Sequence, residues 1–144
     1  MKRFHFPLDR VRRWRVEQAA LEELKLERLY GRLAELASEK RKAQDGRATS
    51  ERQVLGQASV EAAELQALDV YRLHVRSRIG QIEQGQREVM AQIEEQRQRL
   101  IEARRQAELL ERLKDKKLGE WRALAAREEE TIAGELYLAK WRRT

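Results

Sequence analysis

The chain has 144 residues, no cysteine, a single proline and a net charge of +6 drawn from 31 basic and 25 acidic side chains. Charged residues make up 39% of it and aromatics 6%, which leaves too little apolar bulk for a thick core, and the absence of cysteine excludes both a disulfide framework and a cysteine metal site. Ala, Leu, Glu, Lys, Arg and Gln dominate, and all are strong helix formers, so long helices that bury a narrow seam are expected.

Pro7 sets the start. Its missing N–H costs nothing in a first helical turn, and Asp9 then brings a carboxylate to the positive end of the helix dipole. Arg10, Arg12, Arg13 and Arg15 are followed by Glu17, Glu22, Glu23 and Glu27, not by the apolar run of a signal peptide. No apolar stretch approaches the roughly 18 residues that span a bilayer, so a soluble cytoplasmic protein is expected. The sequence predicts one coiled-coil domain over 1–144, with a first helix over about 8–55, a turn at 56–59 and a second helix over about 60–141. Gly56 suits a helix end and Ser59 a helix start. An earlier reversal at Gly46, with irregular chain as far as Ser59, competes with this placement.

The second helix carries the clearest pattern. Alternate steps of three and four from Leu65 meet Leu68, Arg72, Val75, Ile79, Ile82, Gln86, Val89, Ile93, Gln96, Leu100, Ala103, Ala107, Leu110, Lys114, Lys117, Trp121 and Leu124. This unbroken heptad seam implies a partner helix. Glu83–Arg87, Glu95–Arg99 and Glu108–Arg112 have the spacing of supportive i,i+4 ion pairs. The first helix offers Leu26, Leu29, Leu33 and Leu36. Folding back about Gln57–Ala58 sets Leu36 against Ile79, Leu33 against Ile82, Leu26 against Val89 and Leu8 against Ala107. Leu29 then meets Gln86, a weak layer, while Glu22 against Ile93 and Arg15 against Leu100 are mismatched. Leu21 and Leu24 fall off the frame. The fold class expected is therefore all-α, two long helices in an antiparallel coiled-coil hairpin with the second longer by about thirty residues, or roughly 45 Å.

Catalytic chemistry is not visible. His5 and His74 lack a second ligand at metal spacing. No serine has a nucleophile-elbow context, no phosphate loop is present, and the glutamate runs read as solvated helix faces. No enzyme, cofactor, metal or small-molecule substrate is expected. The basic clusters at Lys40–Lys42, Arg104–Arg105, Lys114–Lys117 and Arg142–Arg143 are diluted by glutamates, which disfavours nucleic acid. The aromatics gather at the two ends. Phe4, Phe6 and Trp14 lie at one, and Trp121, Tyr137 and Trp141 at the other, either packing together or serving as interface anchors. Tyr71 lies one step off the seam and is expected to be exposed.

The opening Phe4-x-Phe6-x-Leu8-x-x-Val11 with Arg15 and Glu17, the stretch Leu110–Leu118, Glu120-Trp121 and the Arg127–Glu130 run together resemble the flagellar export protein FliJ family. Stalk proteins of the injectisome look much the same. The resemblance implies a cytoplasmic stalk of the bacterial flagellar type III protein export apparatus, held peripherally at the inner membrane and required for flagellum biogenesis, motility and chemotaxis. Its implied partners are the hexameric export ATPase, whose pore it enters and whose assembly it promotes, the cytoplasmic domain of the export-gate membrane protein, and export chaperones. By position, Tyr71, Val75 and Ile82 correspond to the second-helix half of the gate-binding face. Ser38, Arg41 and Asp45 are polar where the first-helix half is aromatic or aliphatic in the family. Phe4, Phe6, Trp14, Trp121 and Trp141 complete the expected partner-binding set. The alternative is a generic basic coiled-coil scaffold, homodimeric or nucleic-acid-associated.

Overall fold

The computed structural model describes residues 2–144. It contains α1 (Asp9–Leu55, 47 residues) and α2 (Ala62–Arg142, 81 residues), a helical hairpin with the second helix the longer. At the start of α1 the Asp9 N–H donates to the Phe6 carbonyl at 3.1 Å and the Arg12 N–H to that of Leu8 at 2.9 Å. The helix therefore begins at Asp9 with Leu8 as its cap, and Pro7 stands in the turn just before it and not in its first turn.

The α1 helix runs unbroken through Gly46, so the reversal lies beyond Leu55. Gly56 donates its N–H to the Arg52 carbonyl at 3.0 Å. A Cβ at Gly56 would stand 2.6 Å from that same oxygen. No described residue has a positive φ, so clearance and not left-handed geometry requires glycine here. The second helix starts later than Ser59. The Glu61 carbonyl accepts from Glu64 at 3.1 Å and from Leu65 at 3.2 Å, which makes Glu61 the cap. This start puts Glu64 at the third helical position, where an acidic side chain is favoured, whereas a cap at Ser59 would put Ala62 there.

The described residues form two compact units. In the unit Glu22–Arg99, Leu36, Ile82, Val89 and Ile93 form a buried cluster, and Leu26, Leu29 and Leu33 pack on it. Leu68 and Val75 are also buried. The expected pairs are offset. Leu36 packs in the cluster with Ile82, and a Cβ on Gly85 would lie 3.6 Å from Leu36 Cδ1, so the helices slide by about one turn from the Leu36–Ile79 register. The slide removes a mismatch. Glu22 now meets Gln96 in place of Ile93. The Gln96 side chain is buried and its amide donates to the Glu22 carbonyl at 3.0 Å and to the Glu22 carboxylate.

The other unit joins the described residues up to Leu21 with Leu100–Thr144. Phe6, Leu100 and Ala107 are buried in it. Arg15 does not face Leu100; its guanidinium donates to Gln106 Oε1. Leu8 is 41% exposed and does not seal against Ala107, because Asp9 beside it reaches Lys114 at 3.2 Å. The seam frame also slips by one residue after Lys114. Lys117 and Leu124 are exposed, and Leu118 and Ala125 are partly buried in their stead. An α-helix has 3.6 residues per turn, so a stripe stepped at 3.5 drifts off the contact line unless supercoiling holds it.

Ion pairs flank the seam. Glu51–Arg72 (2.9 Å), Glu83–Lys40 (3.2 Å) and Glu39–Arg78 (3.5 Å) cross between helices in the first unit. Along α2, Glu95–Arg99 and Glu108–Arg112 form as expected at 2.8 and 2.6 Å. Arg87 instead donates to Gln84, leaving Glu83 to Lys40. Among the described residues no helix is long and apolar enough to cross a membrane.

Candidate protein-docking surfaces

In the unit Glu22–Arg99, the three residues placed on the expected gate-binding face part company. Val75 and Ile82 are 4% and 3% exposed and belong to the seam. Of their two assignments, seam and gate-binding face, the seam one holds, because the same heptad positions cannot both fill the helix–helix contact and present a face to a partner. Tyr71 is partly buried, not exposed. A Cβ on Gly46 would stand 3.1 Å from its hydroxyl. The exposed apolar side chains near Tyr71 in sequence are Val70 and Leu73, each 66% exposed. The heptad frame gave no reason to select them, although their departure from it was itself the signal.

Charge in this unit is arranged by pairs. Hydrogen bonds from Arg47 and then Arg72 hold the Glu51 carboxyl below its usual range. The Gln96 amide, followed by Lys25, does the same for Glu22.

In the other unit the structure brings Phe4 and Trp121 together, with ring centroids 6.0 Å apart and planes tilted by 58°. The Trp121 indole N–H donates to the Lys2 carbonyl at 3.2 Å. Phe6 is buried. Phe4 and Trp121 thus hold the N-terminal segment on α2 by a tilted aromatic contact, so of the two readings open for these aromatics, packing together is the one seen for this pair. Trp14 is half exposed, with the Arg15 guanidinium 4.7 Å from its ring centroid. A cleft of about 500 Å³ lies beside it, bordered by His5, Phe6, Arg10 and Arg13. Trp141 is 72% exposed and joins neither aromatic contact.

Asp9 is the electrostatic centre of this unit. Its carboxylate meets Arg12 at 2.9 Å, Arg13 at 2.8 Å and Lys114 at 3.2 Å. Hydrogen bonds from Arg12 and Lys114 lower its pKa to about 2. Arg12 is raised in turn by Asp9 and by Glu111.

Among the described residues no group of three or more His, Asp or Glu stands close enough to hold a metal ion. What the chain offers is helix surface. Beyond Ala125 every residue is exposed, including Ile132, Leu136, Tyr137, Leu138 and Trp141. Comparison with protein-family models, with curated proteins and with solved structures finds no match.

Proposed function

We propose that the chain is a non-enzymatic stalk component of a bacterial type III protein export apparatus, flagellar in the first instance. It enters or promotes assembly of the hexameric export ATPase and links it to the cytoplasmic domain of the export-gate membrane protein. The observation that carries this reading is a helical hairpin whose longer helix leaves a run of leucines and aromatics exposed over its last turns. Exposed Trp, Tyr and Leu on a helix are the side chains that anchor protein partners. A two-helix coil also fits a narrow ring pore, and a net charge of +6 favours docking on acidic surfaces. The resemblance of the Phe4–Glu17 and Leu110–Glu130 stretches to the FliJ family supplies the identity of the partners. Export chaperones are further partners in this reading. The site of action is cytoplasmic, peripheral to the inner membrane.

The test is a titration of the purified export ATPase with this protein, following hexamer formation and ATP turnover. Both rise with added protein under this proposal. A flat response in both, with the two proteins at saturating concentration, removes it.

A further inference from the structure

The face of α2 that receives the N-terminal segment does not stop where that segment stops. Leu118, Trp121 and Ala125 are partly buried. At 3.6 residues per turn, Ile132, Leu136 and Ala139 continue the same face, and all three are exposed. The contact line in this unit thus runs on as an uncovered stripe.

The charges beside the stripe indicate what covers it. Glu128, Glu129 and Glu130 stand at its start, and Lys140, Arg142 and Arg143 at its end. On the helical wheel Glu129 and Lys140 share one flank, and Glu128 and Arg142 the other. A second copy laid antiparallel brings each flank against the same flank of its mate. Glu129 then meets Lys140 of the second copy, and Glu128 meets Arg142, each pairing occurring twice by symmetry. In that register Ile132 falls between Leu136 and Ala139 of the second copy, and the two-fold axis passes beside Glu135. A parallel in-register arrangement fails, because it sets Glu128 against Glu129 of the mate and Arg142 against Lys140, like charges throughout, whereas the antiparallel one sets only Glu135 against its own image. A sequence that is acidic and then basic along one stripe is complementary to itself only in reverse.

We propose that the exposed end of α2 is a self-association site, through which two copies of the chain pair antiparallel across Ile132, Leu136 and Ala139. This goes beyond the stalk reading and does not depend on it. A dimer that leaves the ATPase unaffected sinks only the stalk, and a monomer that stimulates the ATPase sinks only the dimer.

Sedimentation equilibrium of the full chain between roughly 1 and 200 µM tests the pairing. A monomer–dimer equilibrium is expected. The Ile132→Glu/Leu136→Glu double variant abolishes it, with helicity by circular dichroism unchanged, because neither residue is covered in the single chain. Glu129→Lys or Lys140→Glu alone weakens the dimer roughly tenfold, and the two together restore it. A chain that stays monomeric throughout, or a dimer indifferent to the Ile132/Leu136 change, overturns the proposal. Orientation has its own readout, since the native chain has no cysteine. A short bis-maleimide linker joins two Glu135→Cys chains, whose thiols flank the axis, and fails to join two Ala125→Cys chains. Equal linking at both positions would show parallel pairing and overturn it as well.

Discussion

The Tyr71 hydroxyl of α2 lies against Gly46 of α1, so close that a methyl group there would stand 3.1 Å from the oxygen. Gly46 is thus a contact position within a continuous helix. Its usual cost, about 0.5–1 kcal/mol relative to alanine, is set against the room it leaves for the tyrosine. Gly46→Ala is expected to leave stability within about 0.5 kcal/mol of the native chain, propensity gain offsetting the displaced hydroxyl. In a Tyr71→Phe background the same change should stabilise by about 0.5–1 kcal/mol. Gly119→Ala, which meets nothing within 4 Å, should stabilise without any second change. Thermal and urea unfolding of the four variants decide it; a full gain from Gly46→Ala alone would show that Tyr71 does not press on it.

Core and surface should separate sharply in the unit Glu22–Arg99. Ile82 and Leu36 are 3% and 4% exposed within one cluster. Ile82→Ala or Leu36→Ala is expected to cost about 2–4 kcal/mol. Val70→Ala and Leu73→Ala, each at a side chain 66% exposed, should stay within about 0.5 kcal/mol. The distinction bears on function. A binding defect caused by substituting Val75 or Ile82 should be accompanied by lower stability, whereas one caused at Val70 or Leu73 should not. Equal unfolding midpoints for the Ile82 and Leu73 variants would contradict the buried seam.

Gln96 and Glu22 fix the slide between the helices in their unit. The Gln96 amide serves both the backbone carbonyl and the carboxylate of Glu22, so the two residues are unequal partners. Gln96→Ala loses both bonds and is expected to cost about 1–2 kcal/mol. Glu22→Ala keeps the bond to its backbone carbonyl and loses the carboxylate's bonds to Gln96 and, at 3.3 Å, to the exposed Lys25, and should cost less because such an exposed pair contributes little. A double-mutant cycle should return a coupling of about 0.5–1.5 kcal/mol, and a coupling of zero would mean the carboxylate bond contributes nothing.

This pair also marks where the sequence stops being legible. Both helices, their ends to within two residues, and the seam positions Leu68, Val75, Ile82, Val89, Ile93 and Leu100 follow from helix propensity and a heptad count. The register does not, because Leu36 finds an acceptable apolar neighbour at Ile79 and at Ile82 alike. What distinguishes the two is the polar layer, and Glu22 against Ile93 was the warning that the apolar match alone had chosen wrongly. The slip after Lys114 has a similar origin, since counting at a fixed 3.5 residues carries the frame to Lys117 and Leu124 while the helix carries Leu118 and Ala125 into contact. Among the docking candidates, composition located the aromatics but could not sort them. Phe4 and Trp121 found each other, while Trp141 stayed exposed.

Acid should loosen the contact around Asp9 only at low pH. Its carboxyl is lowered from 3.8 to about 2 by hydrogen bonds from Arg12 and Lys114. A group depressed on folding contributes stability that is complete above its unfolded value and is lost as pH falls through its folded value. The contribution should therefore be full at neutral pH, begin to decline just below pH 4 and be gone below about pH 2. NMR titration of the Asp9 side chain in the intact chain should return a value near 2, and Lys114→Ala should raise it toward 3.8. Asp9→Asn should remove this part of the acid response while leaving the native fold at pH 7. An Asp9 that titrates near 3.8 in the native chain would mean that Lys114 and Arg12 do not hold it in solution, and with it would go the clasp between the start of α1 and Lys114.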